Sequence, residues 1–287
     1  MIPDVDNDSI VYLNGEHVRL GDAQISVLDR GFIFGDGIYE VVPAYLGKPF
    51  RMEAHLARLL RSLGAIGLDT GWRRADWEHL ILDMLAREGR GRDVMLYLQV
   101  TRGVAKRDHP FPQGARPTVF CMVTPFTRVG EVRETGLRTI SLEDLRWHRC
   151  DIKSVSLLGN VLARQAAVEA GVDDVIQFRD GLLSEASAAN VWVVRQGELL
   201  APVRDHNILE GVRYGLLEEL ARARGIPFES RAISRDEVAG ADELMLTSAT
   251  KEVLPVLWHD GRPVGTGRPG PVYRALREAY DEAIATL

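Results

Sequence analysis

Cysteine is scarce in this sequence, and no residues show the spacing of a metal site. The two cysteines, Cys121 and Cys150, stand apart, and neither belongs to a set with metal-ligand spacing. A disulfide framework needs several cysteines, and a structural zinc site needs closely spaced cysteine or histidine ligands. We therefore expect neither a disulfide scaffold nor a bound metal.

The chain also lacks an excess of basic residues and a long apolar run. Its net charge is −6 and its pI is about 5.7, without the basic stripe that nucleic-acid binding requires. No apolar run reaches the roughly 18 to 20 residues that span a bilayer. The polar, acidic start MIPDVDNDSI is not a secretory signal. We expect a cytoplasmic protein that contacts neither nucleic acid nor membrane.

Common catalytic and nucleotide motifs are absent as well. The segment GDGIYE at 35–40 has two glycines of a dinucleotide fingerprint, but the third is missing and a strand pattern follows instead of a helix. The chain has no P-loop, no nucleophile elbow and no metalloprotease helix. Short motifs of these kinds therefore do not identify its chemistry.

What is present is a mixture of hairpins and amphipathic helices. The turn Asn14-Gly15 between apolar segments predicts a hairpin, and residues 94–103 alternate as a strand does. Apolar residues at helical spacing predict helices over 53–63, 75–89, 212–224 and 270–286. Hairpins outnumber strand–helix–strand units, so the sequence predicts an α+β fold with two mixed α/β domains.

One segment with proline, glycine and clustered charges divides the chain. It is PFTRVGEVRETG, which has the composition of an interdomain linker. We predict a small N-terminal α/β domain at 1–125, a linker at 126–134 and a larger C-terminal domain at 135–287. The C-terminal domain is predicted to carry Lys153.

Lys153 has an unusual setting for a surface lysine. It lies in RCDIKSVSLLGNVLARQAA among apolar and small residues, and the next basic residue is Arg164. Such a lysine either buries its stem and keeps its head in water or serves as a catalytic amine. Glu185 in LLSEASAAN is similarly either a turn residue or a catalytic carboxylate. Alone, the two stretches favour the structural alternatives.

Four motifs taken together resemble one enzyme family. They are DRGFIFGDGIYEVV, CDIKSVSLLGNVLARQ, LLSEASAANVW and LTSATKEVLPV. In this order they resemble the fold-type IV (class IV) pyridoxal-phosphate aminotransferases, and most of all the D-amino-acid transaminases. The resemblance covers nearly the whole chain and implies the two-domain α+β fold of that family.

The resemblance implies that pyridoxal 5'-phosphate is the cofactor. Lys153 would form a Schiff base with its aldehyde, be displaced by the incoming amino group and then act as general acid–base. Glu185 would lie against the pyridine nitrogen and keep it protonated, which makes the ring an electron acceptor. Lys153 and Glu185 are therefore the expected catalytic residues.

The resemblance also assigns contacts to the cofactor phosphate and ring. Arg58 matches the phosphate-binding arginine, although an ordinary helix arginine explains it without the resemblance. The segment ILEGVRYG matches the helix start whose backbone N–H groups receive the phosphate. The other expected cofactor contacts are Leu209, Gly211, Val212, Arg213, Ser248 and Ala249.

Several of these positions depart from the D-amino-acid transaminase pattern. Arg213 and Ala249 stand where threonines are usual, and a lost hydroxyl contact weakens binding by roughly 0.5 to 1.5 kcal/mol. We infer that Arg213 compensates as a second guanidinium on the phosphate. Ala188 also replaces a serine of relatives, which leaves Ser187 and Asn190 as weaker candidates.

The loop TRGVAKRDHPFP at 101–112 bears on substrate choice. By itself it is a polar surface loop. D-amino-acid transaminases have an Arg-x-His pair here, which Arg107 and His109 match, and with Tyr39 these residues would donate hydrogen bonds to the substrate α-carboxylate. Branched-chain aminotransferases generally lack this pair. In relatives the loop reaches the neighbouring subunit, so the resemblance implies a homodimer.

The expected function is D-amino-acid transamination, for example from D-alanine to 2-oxoglutarate. The expected partners are accordingly small amino acids and 2-oxo acids. The alternatives are an L-branched-chain aminotransferase, an amine transaminase or an aminodeoxychorismate lyase of the same fold type. A non-catalytic binding protein that keeps the scaffold is a third possibility, which the presence of both Lys153 and Glu185 disfavours.

Overall fold

The computed structural model describes residues 5–287, which fall into two compact units. The first comprises Met1–Thr127 and Ile152–Ser156, with residues 1–4 of the predicted N-terminal domain lying outside the described part. The second comprises Arg128–Asp151 and Leu157–Leu287. The change of unit after Thr127 falls inside the segment proposed as a linker.

The lysine segment Ile152–Ser156 belongs to the first unit, which differs from the predicted division. The backbone N–H of Tyr39 donates to the Lys153 carbonyl at 2.9 Å. Ile152 is buried in the hydrophobic core of the first unit. Such pairing between distant parts of the chain leaves no local pattern, so the sequence placed Lys153 in the C-terminal domain.

The first unit contains a six-stranded antiparallel sheet with the order β2-β1-β6-β5-β3-β4. Its strands are β1 (Ile10–Leu13), β2 (Glu16–Arg19), β3 (Gly37–Tyr45), β4 (Lys48–Pro49), β5 (Val94–Thr101) and β6 (Thr118–Pro125). The predicted hairpin at Asn14-Gly15 is confirmed between β1 and β2. The strand predicted after GDG is confirmed as β3.

Three helices accompany this sheet: α1 (Arg30–Phe34), α2 (Met52–Ala65) and α3 (Arg74–Glu88). The helices predicted over 53–63 and 75–89 are confirmed as α2 and α3. Their apolar faces share one core with β3, where Ile38 and Val42 are fully buried. Since side chains alternate along a strand, Tyr39 points to the opposite face of the sheet.

The second unit contains a nine-stranded mixed sheet with the order β12-β11-β10-β13-β14-β7-β8-β9, and β15 pairs with β14. Its strands are β7 (Leu137–Glu143), β8 (Asp174–Arg179), β9 (Leu182–Ala186), β10 (Asn190–Arg195), β11 (Glu198–Ala201), β12 (Phe228–Ser230), β13 (Glu243–Ser248), β14 (Glu252–His259) and β15 (Arg262–Pro263). Parallel pairing occurs at β7–β8, β7–β14 and β11–β12. The remaining pairs are antiparallel, so the sheet is not a doubly wound parallel one.

Five helices belong to the second unit: α4 (Val132–Thr135), α5 (Leu158–Glu169), α6 (Val212–Ala223), α7 (Arg235–Ala239) and α8 (Pro271–Ala285). The helices predicted over 212–224 and 270–286 are confirmed as α6 and α8. The α+β class is confirmed too, since hairpins and helices are mixed in both units. Within residues 5–287, no helix combines the length and apolarity that crossing a membrane requires.

Candidate active site

The Lys153 backbone is fixed on both sides, and its side chain packs against an aromatic ring. Its N–H donates to the Ser62 hydroxyl at 3.3 Å, while its carbonyl accepts from Tyr39. Its Nζ lies 4.0 Å from the centroid of the Tyr39 ring, within cation–π range. The half-buried amine is thus held at the face of β3 that carries Tyr39.

Gly35 explains why the GDG motif belongs to this site. It ends α1 with a φ of 65°, which favours glycine. A Cβ at this position would meet the Ser156 hydroxyl, and that hydroxyl donates to the Gly35 carbonyl at 3.0 Å. The motif therefore brings the end of α1 against the lysine segment.

A second tyrosine lies beside Tyr39 on the same face. The rings of Tyr39 and Tyr97 are 5.8 Å apart, and the Tyr97 hydroxyl donates to Gln99 Oε1 at 2.7 Å. Burial, with a smaller contribution from Tyr39, raises the pKa of Tyr97 to about 12. Tyr97 therefore remains a neutral hydrogen-bond donor at physiological pH.

Arg58 is held in the first unit by a buried carboxylate that the sequence did not single out. Its Nε and Nη2 donate to Glu40 at 3.0 and 2.6 Å. Burial works to raise the pKa of Glu40, but Arg58 and His55 outweigh it and hold that pKa well below its usual range. Since a guanidinium has five N–H donors, the pair with Glu40 orients Arg58 without using all of them.

Arg107 and His109 meet at one aromatic ring in the loop after β5. The Arg107 Cζ lies 5.4 Å from the centroid of the Phe34 ring, and the His109 ring centroid lies 5.4 Å from the same centroid. The structure thus brings these two predicted carboxylate donors together. The third, Tyr39, contacts Lys153.

In the second unit, both carboxylate oxygens of the buried Glu185 are engaged. Oε2 accepts from Arg146 Nη1 at 2.6 Å, and Oε1 accepts from Asn190 Nδ2 at 2.9 Å. Burial raises the pKa of Glu185 above the ordinary value, and the Arg146 guanidinium opposes that shift. Arg146 therefore favours the charged form of Glu185.

Arg146 is itself rigidly placed. Its Nε and Nη2 donate to the two oxygens of Asp144 at 2.9 and 2.8 Å, and the guanidinium of Arg179 lies 3.2 Å from the same carboxylate. The sequence offered no signal for this pairing beyond the basic cluster before the lysine motif. The partner of Glu185 was therefore missed.

Asn190 connects Glu185 to the turn before α6. Its Nδ2 also donates to the Leu209 carbonyl at 2.9 Å. A Cβ on Gly211, the N-cap residue of α6, would clash with Asn190 Oδ1, so only glycine fits here. The first turn of α6 starts at Val212, and its N–H groups have no partner inside the helix.

The side chain of Arg213 has a different setting from the one inferred from the sequence. It is buried, and its Nε donates to the Tyr280 hydroxyl of α8 at 3.2 Å. The guanidinium thus contacts the neighbouring helix, because the second position of α6 projects that side chain toward α8.

The turn after β13 carries the remaining predicted phosphate contacts. Ser248 ends β13, and its hydroxyl accepts from the Lys251 N–H at 3.0 Å and lies 3.3 Å from the Thr250 hydroxyl. Ala249 follows it in the turn. Ser187 has another role, since its hydroxyl donates to the buried Asp174 at 2.6 Å.

Comparison with known proteins gives a consistent family and two substrate names. The family model for amino-transferase class IV matches residues 37–257. A D-alanine aminotransferase of Bacillus licheniformis is 36% identical over 274 residues, which cover 96% of this chain and 96% of that protein. Among solved structures, the branched-chain aminotransferase of Thermoproteus uzoniensis with norvaline has a TM-score of 0.89 at 26% identity and covers 96% of this chain and 95% of its own. A T.th. branched-chain amino acid aminotransferase, solved with pyridoxamine 5'-phosphate, has a TM-score of 0.91 at 26% identity, with coverages of 97% and 95%.

Proposed function

The chain belongs to the class IV aminotransferases, which are pyridoxal-phosphate enzymes, and on that premise we propose that it is a D-amino-acid transaminase. It would move the amino group of a D-amino acid such as D-alanine to a 2-oxo acid such as 2-oxoglutarate. The observation that carries the proposal is the Lys153 amine held against Tyr39 in the unit that also bears the Arg107 and His109 loop. The nearly full-length D-alanine aminotransferase relatives support the same substrate class.

The donors of both units suit pyridoxal phosphate. When bound, the cofactor supplies an aldehyde that takes the amino group and a ring that accepts electrons. In the first unit, we assign Lys153 to its covalent attachment and Arg58 to its phosphate. In the second, we assign Glu185 to its ring nitrogen. The free N–H groups that begin α6 form an anion cradle, supported by the close approach at Gly211.

The second unit supplies further proposed cofactor contacts. Leu209 lies in the turn that Asn190 holds and would pack against the ring. Val212 and Arg213 would contribute backbone N–H groups at the start of α6, as would the turn of Ser248 and Ala249. We assign Arg213 this backbone role because its side chain contacts Tyr280.

Lys153 would then move a proton. Its Nζ takes the α-hydrogen of the substrate and returns a proton during the second half of the reaction. The backbone contacts of Lys153 with Ser62 and Tyr39 hold the amine on one side. Only the enantiomer that points its α-hydrogen toward that side reacts, provided its carboxylate is also fixed.

Turnover of the two enantiomers of alanine tests the substrate class. We expect the loaded enzyme to form pyruvate from D-alanine and 2-oxoglutarate much faster than from L-alanine. Equal or faster turnover of L-alanine would end the D-specific assignment. The class would then be that of the branched-chain aminotransferases, whose solved structures share this fold. An amine transaminase would prefer an amine without a carboxylate, and a lyase would release its product without a 2-oxo acceptor.

The substrate carboxylate is assigned to Arg107, His109 and Tyr39. We expect Arg107→Ala to raise KM for D-alanine by roughly 10- to 100-fold, since a charge-assisted hydrogen bond contributes about 1.5 to 3 kcal/mol. The affinity for the cofactor should not change. Steady-state kinetics and cofactor titration measure the two effects.

Arg116→Ala is the matched control, since Arg116 is an exposed arginine of the same loop. It should leave KM close to that of the parent enzyme. An unchanged KM in Arg107→Ala would place the carboxylate elsewhere.

We further propose a homodimer in which this loop serves the neighbouring subunit. Helix α5 buries Ala163 and Ala167 and exposes Leu158, Val161 and Leu162, each by more than half of its surface. An exposed apolar patch of this kind is typical of an interaction surface. It supports burial against a second copy.

Leu162→Glu should therefore weaken the dimer, because it places an unpaired charge in an apolar interface. We expect the dimer Kd to rise by roughly 100-fold or more, as for a central interface residue. Light scattering coupled to size exclusion gives the mass over a dilution series. Leu82→Glu on α3, also at an exposed leucine, should leave the mass unchanged. A parent protein that is monomeric at all concentrations would contradict the proposal.

We also propose that the enzyme works in the cytoplasm. Cys121 and Cys150 are both buried free thiols, which suits a reducing compartment.

A further inference from the structure

Arg30, the first residue of α1, is a buried arginine that holds the substrate loop. Its Nη1 donates to the Asp108 carbonyl at 2.5 Å, and its Nη2 donates to the His109 carbonyl at 3.2 Å. Its Nε donates to Asp36 at 2.7 Å. One planar guanidinium therefore binds three acceptors, and two of them belong to the backbone of the loop that carries Arg107.

Asp36 connects this arginine to the beginning of the same loop. Its Oδ2 also accepts from Arg102 Nε at 2.8 Å. Burial works to raise the pKa of Asp36, but the Arg102 and Arg30 guanidinium groups outweigh it and hold this pKa below its usual value. The carboxylate thus stays charged and joins two arginines that grip the loop at different places.

Arg102 fixes the start of the loop by contacts of its own. Its Nη2 donates to the Ile66 carbonyl at 2.8 Å, and its Cζ lies 3.6 Å from the centroid of the Phe111 ring. The loop is therefore anchored near Arg102 and again at Asp108 and His109. Arg107 lies between these anchors.

Phe34 completes the arrangement from the end of α1. The Arg30 Cζ lies 4.9 Å from its ring centroid, and the same ring contacts Arg107 and His109. The side chain of Arg107 is exposed, and a long exposed side chain loses entropy when a ligand fixes it. A ring that already positions the guanidinium lowers that entropic cost.

We propose that Arg30 is a positioning residue for carboxylate recognition and acts through Arg107 and His109, with Phe34 as the platform for both side chains. This inference rests on the proposed function, which assigns the substrate carboxylate to these two residues. Arg30 itself contacts backbone and Asp36, so it sets where the carboxylate donors lie and does not touch the substrate.

Arg30→Lys tests the proposal while keeping a positive charge for Asp36. A lysine cannot hold three acceptors in one plane, so the loop loses an anchor. We expect KM for D-alanine to rise by roughly 10- to 100-fold, as for a small misplacement of binding groups. The kcat at saturation should stay within about threefold, and the cofactor Kd should stay unchanged.

Arg87→Lys is the matched control. Arg87 forms an exposed ion pair with Asp83 on α3, so the same substitution there should leave both constants unchanged. Thermal unfolding of Arg30→Lys shows whether the fold is retained. Phe34→Leu provides a second variant without a change in buried charge, and it should raise KM in the same direction.

A double-mutant cycle separates positioning from a general structural role. In a background of Arg107→Ala and His109→Ala, adding Arg30→Lys should change KM by less than about twofold, because the groups it positions are gone. A full multiplicative effect in that background would overturn the proposal, as would an unchanged KM in both Arg30→Lys and Phe34→Leu. Preference of the parent enzyme for L-alanine would instead refute the proposed D-specificity, and the same cycle run with L-alanine would still test Arg30.

Discussion

Lys153→Ala is expected to abolish multiple turnover, with a fall in kcat of about 10⁴-fold or more. The substitution removes the amine that attaches the cofactor and the base that takes the α-proton, so two functions are lost together. The assay follows the release of pyruvate from D-alanine. Borohydride reduction of the loaded enzyme, followed by peptide mapping, should place the cofactor mass on the peptide that contains Lys153.

Two observations separate this role from packing. Lys48→Ala, at an exposed lysine of β4, should retain normal activity and normal labelling. Added small primary amines should partly restore turnover in Lys153→Ala, because they replace the missing base. Normal activity in Lys153→Ala, or a labelled peptide that does not include residue 153, would refute the assignment of the lysine.

Glu185→Gln is expected to lower kcat by roughly 10²- to 10³-fold while the cofactor remains bound, comparable to the loss of one preorganised electrostatic contact. The amide keeps the size of the side chain and can still accept from Arg146, so the packing of the second unit is preserved. It carries no negative charge, and a protonated ring nitrogen then loses its counter-charge. Stopped-flow kinetics gives the rate, and the absorption spectrum over a pH series reports ring protonation.

Glu185→Asp distinguishes charge from geometry. It retains the carboxylate on a shorter side chain and should recover part of the lost rate. Glu143→Gln, at an exposed glutamate of β7, is the control and should behave like the parent enzyme. Equal rates in Glu185→Gln and the parent enzyme would mean that the ring nitrogen does not depend on this residue.

The difference between Arg58 and Arg146 shows the limits of reading the sequence. Arg58 was identified because a motif match fixes its place, yet its pair with Glu40 appears only when β3 and α2 pack together. Arg146 lies next to the lysine motif and was noted only as a possible brace. Its contact with Glu185 joins residues far apart in the chain, and no local pattern encodes such a contact.

The substrate loop gives the same lesson. Arg107 and His109 were recognised from an Arg-x-His pair, which is a local feature. Arg30 in the DRG motif was quoted without a role, because its acceptors are backbone carbonyls of a distant loop. Any residue type supplies a carbonyl, so the sequence of the loop does not reveal this partner.

The sequence by itself determined the α+β class, the main helices and strands, and the family with its lysine and glutamate. Helical periodicity, strand alternation and turn residues act over short stretches, so they can be read from one chain. Only the tertiary structure decided that the lysine segment pairs with β3, that Arg146 and Asn190 hold Glu185, and that Arg213 contacts α8. Each of these depends on hydrogen bonds between residues distant in sequence, which form only when the chain has folded.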